Sequence, residues 1–450
     1  MVKLQNSFLI QDQQLKERIW NIVLSTAEKF KDIDKIEQLM MENIDPDSRE
    51  LYSNSLGSGY PGICLLLGEL DRINPEGDWD LAALEYLKRI QNNLQTGSIN
   101  SLSLFNGLTG IMMGINACSR SGTRYQNFLT QLKEFFLEVY PTMLQDSFMR
   151  TKDGAKMEDY DVISGWTGIG RSLLLFSNEP EIEIALKQIL EYIVKLSENK
   201  QINNFLIPSW YLSKDNLFLE SEKKLHPNGI FNCGLSHGVS GILSFLSIAS
   251  QHKITVSNHH EAIEKIATWL IGWIQEEKGV KFIPNVISLE DYLADSYTGG
   301  FQHRDAWCYG SPGVARVLWL AGETLNRNDL KLEALSLCKS TFQRSPETWG
   351  IYSSTFCHGY AGLLSLTQEM WRVSGDVDLE IHRNELVYKL LETFDTLAPL
   401  NFYDSEFNSS HKEIQNYTKV GLIEGTTGIL LSLLSTINPN CTWESAFLIK

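Results

Sequence analysis

Two concentric layers of helices, an all-α architecture of the α/α barrel type with seven inner and seven outer helices, are what this 450-residue sequence predicts. Three observations carry the expectation: a short G-x-x-G pattern that returns seven times, a nearly all-apolar stretch behind each copy, and amphipathic stretches between copies. The copies are Gly59-Tyr-Pro-Gly62, Gly107-Leu-Thr-Gly110, Gly165-Trp-Thr-Gly168, Gly238-Val-Ser-Gly241, Gly310-Ser-Pro-Gly313, Gly359-Tyr-Ala-Gly362 and Gly425-Thr-Thr-Gly428. Such recurrence marks a repeat architecture.

Behind the glycines come stretches such as ICLLLGEL, IMMGINA, ILSFLSIAS, VARVLWLAGE and ILLSLLSTI, apolar nearly all round and therefore helices buried on most sides. Between copies lie WDLAALEYLKRIQNNL, YQNFLTQLKEFFLEVY, EIEIALKQILEYIVKL, HHEAIEKIATWLIGWIQEE and LKLEALSLCKSTFQ, whose apolar residues fall near i, i+3, i+4 and i+7, the spacing of half-buried outer helices. Glycine at the start of each inner helix lets backbones crowd together and leaves helix amino-terminal N–H groups accessible.

Successive first glycines are 48, 58, 73, 72, 49 and 66 residues apart, and three of those intervals exceed what two helices and two turns need. The stretches 201–232 and 279–306, aromatic and β-branched with Pro and Gly breaks, read as irregular or strand-bearing insertions on the rim of a single domain spanning 1–450. Apolar residues at 43% and charged residues at 21% suffice for a large core without metals or disulfides to hold it. The formal charge of −16 repels phosphate backbones and excludes nucleic acid as a natural ligand. The amino terminus shows no signal-peptide apolar core, and no apolar run approaches the ~20 residues of a membrane span, so a cytoplasmic location is expected. Seven scattered cysteines do not form a disulfide framework.

What precedes each repeat glycine differs from copy to copy. The fifth copy reads Trp307-Cys308-Tyr309-Gly310, the sixth Phe356-Cys357-His358-Gly359, and the fourth Ser236-His237-Gly238. Cys308 and Cys357 share the slot two residues before the glycine, and His237 and His358 share the next. Two thiolates and an imidazole from neighbouring repeats suit zinc, and three protein ligands leave a fourth position open. Cys233, four residues before His237, lies outside the slot and reads as packing.

These residues resemble the lanthionine synthetase C family, the stand-alone nisin-type cyclases of lantibiotic biosynthesis: SHG, then RDAWCYG, then CHG, on a sevenfold helical repeat covering essentially the whole chain. The resemblance implies an α/α toroid bearing a zinc ion, and an enzyme that adds cysteine thiols to dehydroalanine or dehydrobutyrine of a dehydrated precursor peptide, forming thioether rings. It carries the zinc ligands onto Cys308, Cys357 and His358. Further active-site positions fall on His237, on Arg304 and Trp307 of RDAWC, and on Asp161 of YDVISG. A dehydratase and an ABC transporter are implied as partners, with peripheral attachment to a membrane complex through them.

The chemistry accounts for these residue types. A free thiol is mostly protonated at neutral pH, and coordination to a metal deprotonates it. Addition at the β-carbon places charge on the neighbouring amide as an enolate, a task for Arg304, and the α-carbon then needs a proton, a task for His237. Asp161 would orient His237 and raise its pKa. Two alternatives use the same chain differently: intermolecular thiol addition of the glutathione type, and a repeat scaffold without catalysis. A barrel glycosidase would need two positioned carboxylates, and the slots hold thiols and imidazoles.

Overall fold

The computed structural model describes residues 9–42, 49–97, 99, 101–151, 154–202, 204–300, 304–408 and 413–450. Helices dominate. The chain forms two compact units, Met1–Leu132 with Gly350–Glu444, and Lys133–Trp349 with Ser445–Lys450.

All seven repeat glycines become N-caps. They open the helices Tyr60–Ile73, Leu108–Ala117, Trp166–Leu173, Val239–Gln251, Ser311–Thr324, Tyr360–Ser374 and Thr426–Ile437. These helices are buried all round, as their composition predicts: Val239–Gln251 is buried at every residue through Ala249. Each helix between them buries one stripe; Trp79–Thr96, for instance, buries Trp79, Ala82, Ala83, Tyr86, Leu87 and Ile90. In the first unit Tyr60–Ile73 packs on Trp79–Thr96, Tyr360–Ser374 on Val377–Glu392, and Thr426–Ile437 on the helix Gln13–Ala27. In the second, Trp166–Leu173 packs on Pro180–Leu196, Val239–Gln251 on His259–Gly272, and Ser311–Thr324 on Asn328–Phe342.

Gly310 stands apart among the caps, with φ +96°, and a Cβ there would overlap the carbonyl oxygen of Arg304, so only glycine fits. Gly114 serves close approach instead: a Cβ on it would lie 2.8 Å from the Cα of Pro61 on the adjoining inner helix.

One backbone device links the turns. The carbonyl two residues before the repeat glycine accepts N–H groups from the neighbouring turn. In the first unit Phe356 and Cys357 donate to Ile423 (3.1 and 2.8 Å), Leu422 and Ile423 to Gly57 (2.7 and 3.0 Å), and Gly57 to Phe105 (3.3 Å). In the second, Leu235 and Ser236 donate to Cys308 (3.0 and 3.3 Å), and Val162 to Ser236 (3.0 Å). The cysteine slot is thus a fixed structural position, because its carbonyl carries the lateral hydrogen bonds that buried turns require.

Short strands lie in the stretches 201–232 and 279–306 and begin a few residues before each of them. Asn199–Ile202 pairs with Phe205–Pro208, Gln275–Glu277 with Val280–Phe282, and Ile230–Asn232 with Val286–Ser288, so the two insertions share a ladder. Position 203 of the first insertion and positions 301–303 of the second lie outside the described residues. A further hairpin, Asp404–Asn408 with Glu413–Tyr417, fills the 66-residue interval and was not anticipated. Among the described residues, no helix is long and apolar enough to cross a membrane.

Candidate active site

In the second unit, the turn before Trp166–Leu173 presents Asp161, which is 1% exposed. Its Oδ1 accepts the backbone N–H groups of Ser164 and Gly165, both at 2.7 Å, fixing the turn. Its Oδ2 lies 2.6 Å from Nδ1 of His237 on the next turn. The carboxylate is therefore both a turn-capping group and the orienting partner of the imidazole. Because an ionised carboxylate only accepts, Nδ1 carries the proton and Nε2 is left for other partners. The His237 side chain is 35% exposed. Burial works against the charged imidazole, but the hydrogen bond and charge of Asp161, with Cys308 and Glu222 adding to them, hold its pKa above the ordinary histidine value.

The third turn of this unit carries the expected cysteine. Cys308 is 4% exposed, and its carbonyl receives the two N–H groups of the His237 turn together with the Ser236 hydroxyl at 3.3 Å. Arg304 lies exposed at the start of the same segment, and among the described residues no carboxylate pairs with it. Asp305, its neighbour, is buried and paired with Arg344 instead. Trp307 is fully buried and donates its indole N–H to the carbonyl of Phe447 at 2.9 Å. Cys233 is buried as well, and burial pushes its thiol pKa upward, which makes it a poor nucleophile or ligand.

Sequence reasoning passed over Tyr309. Its ring centre is 6.5 Å from that of His237, and its hydroxyl accepts the side-chain N–H of buried Asn232 at 3.0 Å. Burial pushes its pKa up, with Cys308 and Glu222 adding to the effect while Asn232 opposes it. The signal was present: Tyr309 fills the slot before the repeat glycine that His237 and His358 fill in theirs. Glu222, on the short helix Glu220–Leu225 of the first insertion, had no such signal.

In the first unit, Cys357 and His358 are half-buried on the turn before Tyr360–Ser374. Ser353 and Ser354 tie that turn to the unanticipated hairpin, donating to Asp404 (2.6 Å) and to the carbonyl of Tyr403 (2.9 Å). At the base of the hairpin, Asp404, Glu406 and Glu424 are close enough to hold a cation. Lys419 already sits among them, at 2.7, 2.9 and 3.0 Å, and although burial opposes its charge, Glu424, Asp404 and Glu406 together hold its pKa above the usual lysine range. The cluster is a lysine-centred ion network.

In the same unit as His237, the first insertion and the helix Leu289–Ala294 border a groove of about 420 Å3 lined by Phe205, Tyr211, Pro227, Leu289 and Leu293, with Lys214, Asp215 and Glu290 at its polar margin. Phe218, Leu219 and Leu225 stand exposed on the same insertion, Phe218 at 83%.

Fold and site define a helical repeat protein whose turns present thiols, imidazoles and one carboxylate-oriented histidine. The chain belongs to the lanthionine synthetase C-like protein family, whose model matches residues 50–448. Nisin biosynthesis protein NisC of Lactococcus lactis subsp. lactis is 28% identical over 394 residues, covering 84% of this chain and 84% of that protein. In fold, the chain is similar to the solved structure of nisin cyclase, with a TM-score of 0.75 and 23% identity over 92% of this chain and 97% of that one.

Proposed function

We propose that this chain, an enzyme of the lanthionine synthetase C-like family, closes lanthionine and methyllanthionine rings by adding cysteine thiols of a dehydrated precursor peptide to its own dehydroalanine and dehydrobutyrine residues. The observation that carries the chemistry is the 2.6 Å contact of Asp161 with His237 on a turn hydrogen-bonded to that of Cys308. In the reaction a sulfur–Cβ bond forms, the Cα=Cβ electron pair moves onto the neighbouring carbonyl as an enolate, and a proton is delivered to Cα. Loss of the thiol proton balances that delivery, so peptide mass is unchanged. Asp161 fixes the imidazole tautomer, and His237 delivers the proton from Nε2. Arg304, exposed and permanently charged, stabilises the enolate.

Cys308, Cys357 and His358 are the residues we propose as zinc ligands. Their donor set fits the ion: two thiols from one repeat slot, both on turns tied laterally to a neighbouring turn, Cys308 through its carbonyl and Cys357 through its N–H, plus the imidazole next to one of them. When bound there, zinc supplies deprotonation of the substrate thiol near neutral pH. The repeat count and the likeness of fold over 92% of the chain support a single α/α toroid over residues 1–450. The groove on the insertion suits a peptide segment, and the charge of −16 favours a cationic one. A cytoplasmic enzyme working with a dehydratase and an ABC transporter completes the proposal.

The test incubates a dehydrated precursor with the protein and titrates free thiols by alkylation, with glutathione in a parallel sample. Loss of alkylatable cysteine at unchanged peptide mass is expected. A glutathione adduct, with the peptide thiols still alkylatable, would overturn cyclisation in favour of intermolecular addition.

A further inference from the structure

Residues 445–450 leave the unit that holds the preceding stretch of chain and join the second one. There, side chains from the repeat elements take four consecutive backbone carbonyls. Trp307 donates to Phe447 (2.9 Å), Ser244 to Leu448, Arg316 to Ile449 (2.7 Å), and Arg171 to Lys450 (3.1 Å). Arg171, Ser244 and Arg316 come from the three inner helices of this unit, Trp166–Leu173, Val239–Gln251 and Ser311–Thr324. Ala446, Phe447, Leu448 and Ile449 are all fully buried. Leu448 has φ +55°, a left-handed conformation that a leucine keeps only where its surroundings impose it. Three buried donors on separate helices impose it here.

We infer that this segment is a built-in strut that fixes Cys308 from behind, and that Trp307 is a positioning residue acting through the adjacent cysteine. The indole of Trp307 also packs edge-on against Phe447, with ring centres 4.9 Å apart, so both its N–H and its face are set by the strut. On the other side the Cys308 carbonyl is held by Leu235 and Ser236. Ala306 donates its N–H to the carbonyl of Tyr309 (3.0 Å), which closes the segment into a tight turn. With the backbone held at the carbonyl and the preceding side chain anchored, the Cβ direction at Cys308 has little freedom left.

Trp307→Phe removes the donor and keeps a ring; Ser244→Ala removes one hydroxyl bond to the strut and disturbs little else. In the full-length protein after chelation, the rate at which iodoacetamide alkylates each cysteine is read by peptide mass spectrometry. Cys308 should react on the order of tenfold faster in Trp307→Phe and a few-fold faster in Ser244→Ala, as local opening is eased. Cys233, on the turn that donates to Cys308, and Cys338, on the helix Asn328–Phe342, are both buried and should keep wild-type rates. An unchanged Cys308 rate, or all three thiols rising in parallel, overturns the inference; if Trp307→Phe does not fold, Ser244→Ala decides alone. Thiol reactivity is independent of what the protein cyclises, so failure of the proposed reaction would leave this readout intact. Under the cyclase reading, Ser244→Ala should also lower kcat with KM unchanged.

Discussion

The turns that present Cys308 and Cys357 share one backbone plan and carry different loads. Each precedes a repeat glycine, and each cysteine engages the lateral hydrogen bonds between turns. Around Cys308 the protein is closed: the thiol is buried, Trp307 is anchored to Phe447, and His237 on the adjoining turn is held by a buried carboxylate. Around Cys357 it is more open, with the cysteine and His358 half-buried and the turn tied through two serines to a charged surface hairpin. A repeat supplies equivalent positions, and what is attached to each turn decides whether that position is rigid and dry or accessible. Under the proposed reaction, general acid chemistry falls on the turn where a buried carboxylate, Asp161, orients the imidazole.

The sharpest way to break the comparison is to remove the cysteines one at a time. If the slots are equivalent as ligands, Cys308→Ala and Cys357→Ala each abolish zinc stoichiometry and reduce cyclisation by more than about 100-fold, since even outer-shell changes cost ~10–100-fold. Cys233→Ala should retain the metal. Elemental analysis beside the cyclisation assay checks this, and zinc retained in Cys308→Ala but lost in Cys233→Ala would overturn the slot argument.

Acid–base chemistry is expected on the Cys308 side alone. His237→Asn should keep zinc and fold while losing roughly 10²–10⁴-fold in rate, the range for a positioned proton donor. Asp161→Asn is more informative, because its amide oxygen still serves Ser164 and Gly165 while its amide group no longer favours the charged imidazole. The folded-state pKa of His237 is raised, so the proton-donating form is present below that pKa and is lost as pH rises through it. Asp161→Asn should therefore move the alkaline limb of the rate profile to lower pH. An unmoved limb would detach the pair from catalysis.

Much of this was legible in the sequence, and the exceptions share a cause. The seven glycines all became helix caps because a local steric need is written locally. The histidine and cysteine slots were visible because a repeat supplies its own alignment. Tyr309 had the same signal, yet a tyrosine before a glycine suggests packing until its ring is seen beside His237. The hairpin Asp404–Asn408 with Glu413–Tyr417 was not legible, since DSEFN and EIQNY are polar and poor in strand formers, and only the long interval hinted at extra chain. The strut at 445–450 had no signal at all, because each of its hydrogen bonds joins residues more than 130 positions apart.

On the open side, charge contributes to stability rather than to catalysis. Lys419→Met leaves Asp404 buried with Glu406 and Glu424 beside it and no cation among them. Breaking a buried pair costs roughly 3–5 kcal/mol, and partial exposure of Lys419 reduces that to about 2 kcal/mol here. The sign with pH is distinctive. The wild-type lysine, its pKa raised, contributes stability that is lost only at strongly alkaline pH. The variant, with three carboxylates repelling one another, should regain stability as pH falls through the carboxylate range. Thermal denaturation between neutral and acidic pH checks both, and a loss that persists unchanged in acid would remove the network from the account.

The smallest expected effect concerns the exposed apolar residues of the first insertion, in the same unit as Cys308. Phe218 and Leu225 are 83% and 73% exposed, so replacing either with serine removes almost no buried area and should shift stability by no more than about 0.5 kcal/mol. If a precursor peptide rests on that insertion before its thiols reach Cys308, the double substitution should raise KM a few-fold, because contacts made equally in ground and transition states contribute to KM and leave kcat unchanged. The direction of the split is diagnostic. A fall in kcat at constant KM would mean that the insertion shapes the His237 environment through Glu222, whose charge adds to that of Asp161 in raising the imidazole pKa. Unchanged kcat and KM would mean that the peptide does not rest on these exposed side chains, and the difference between the two sides would then lie wholly in their turns.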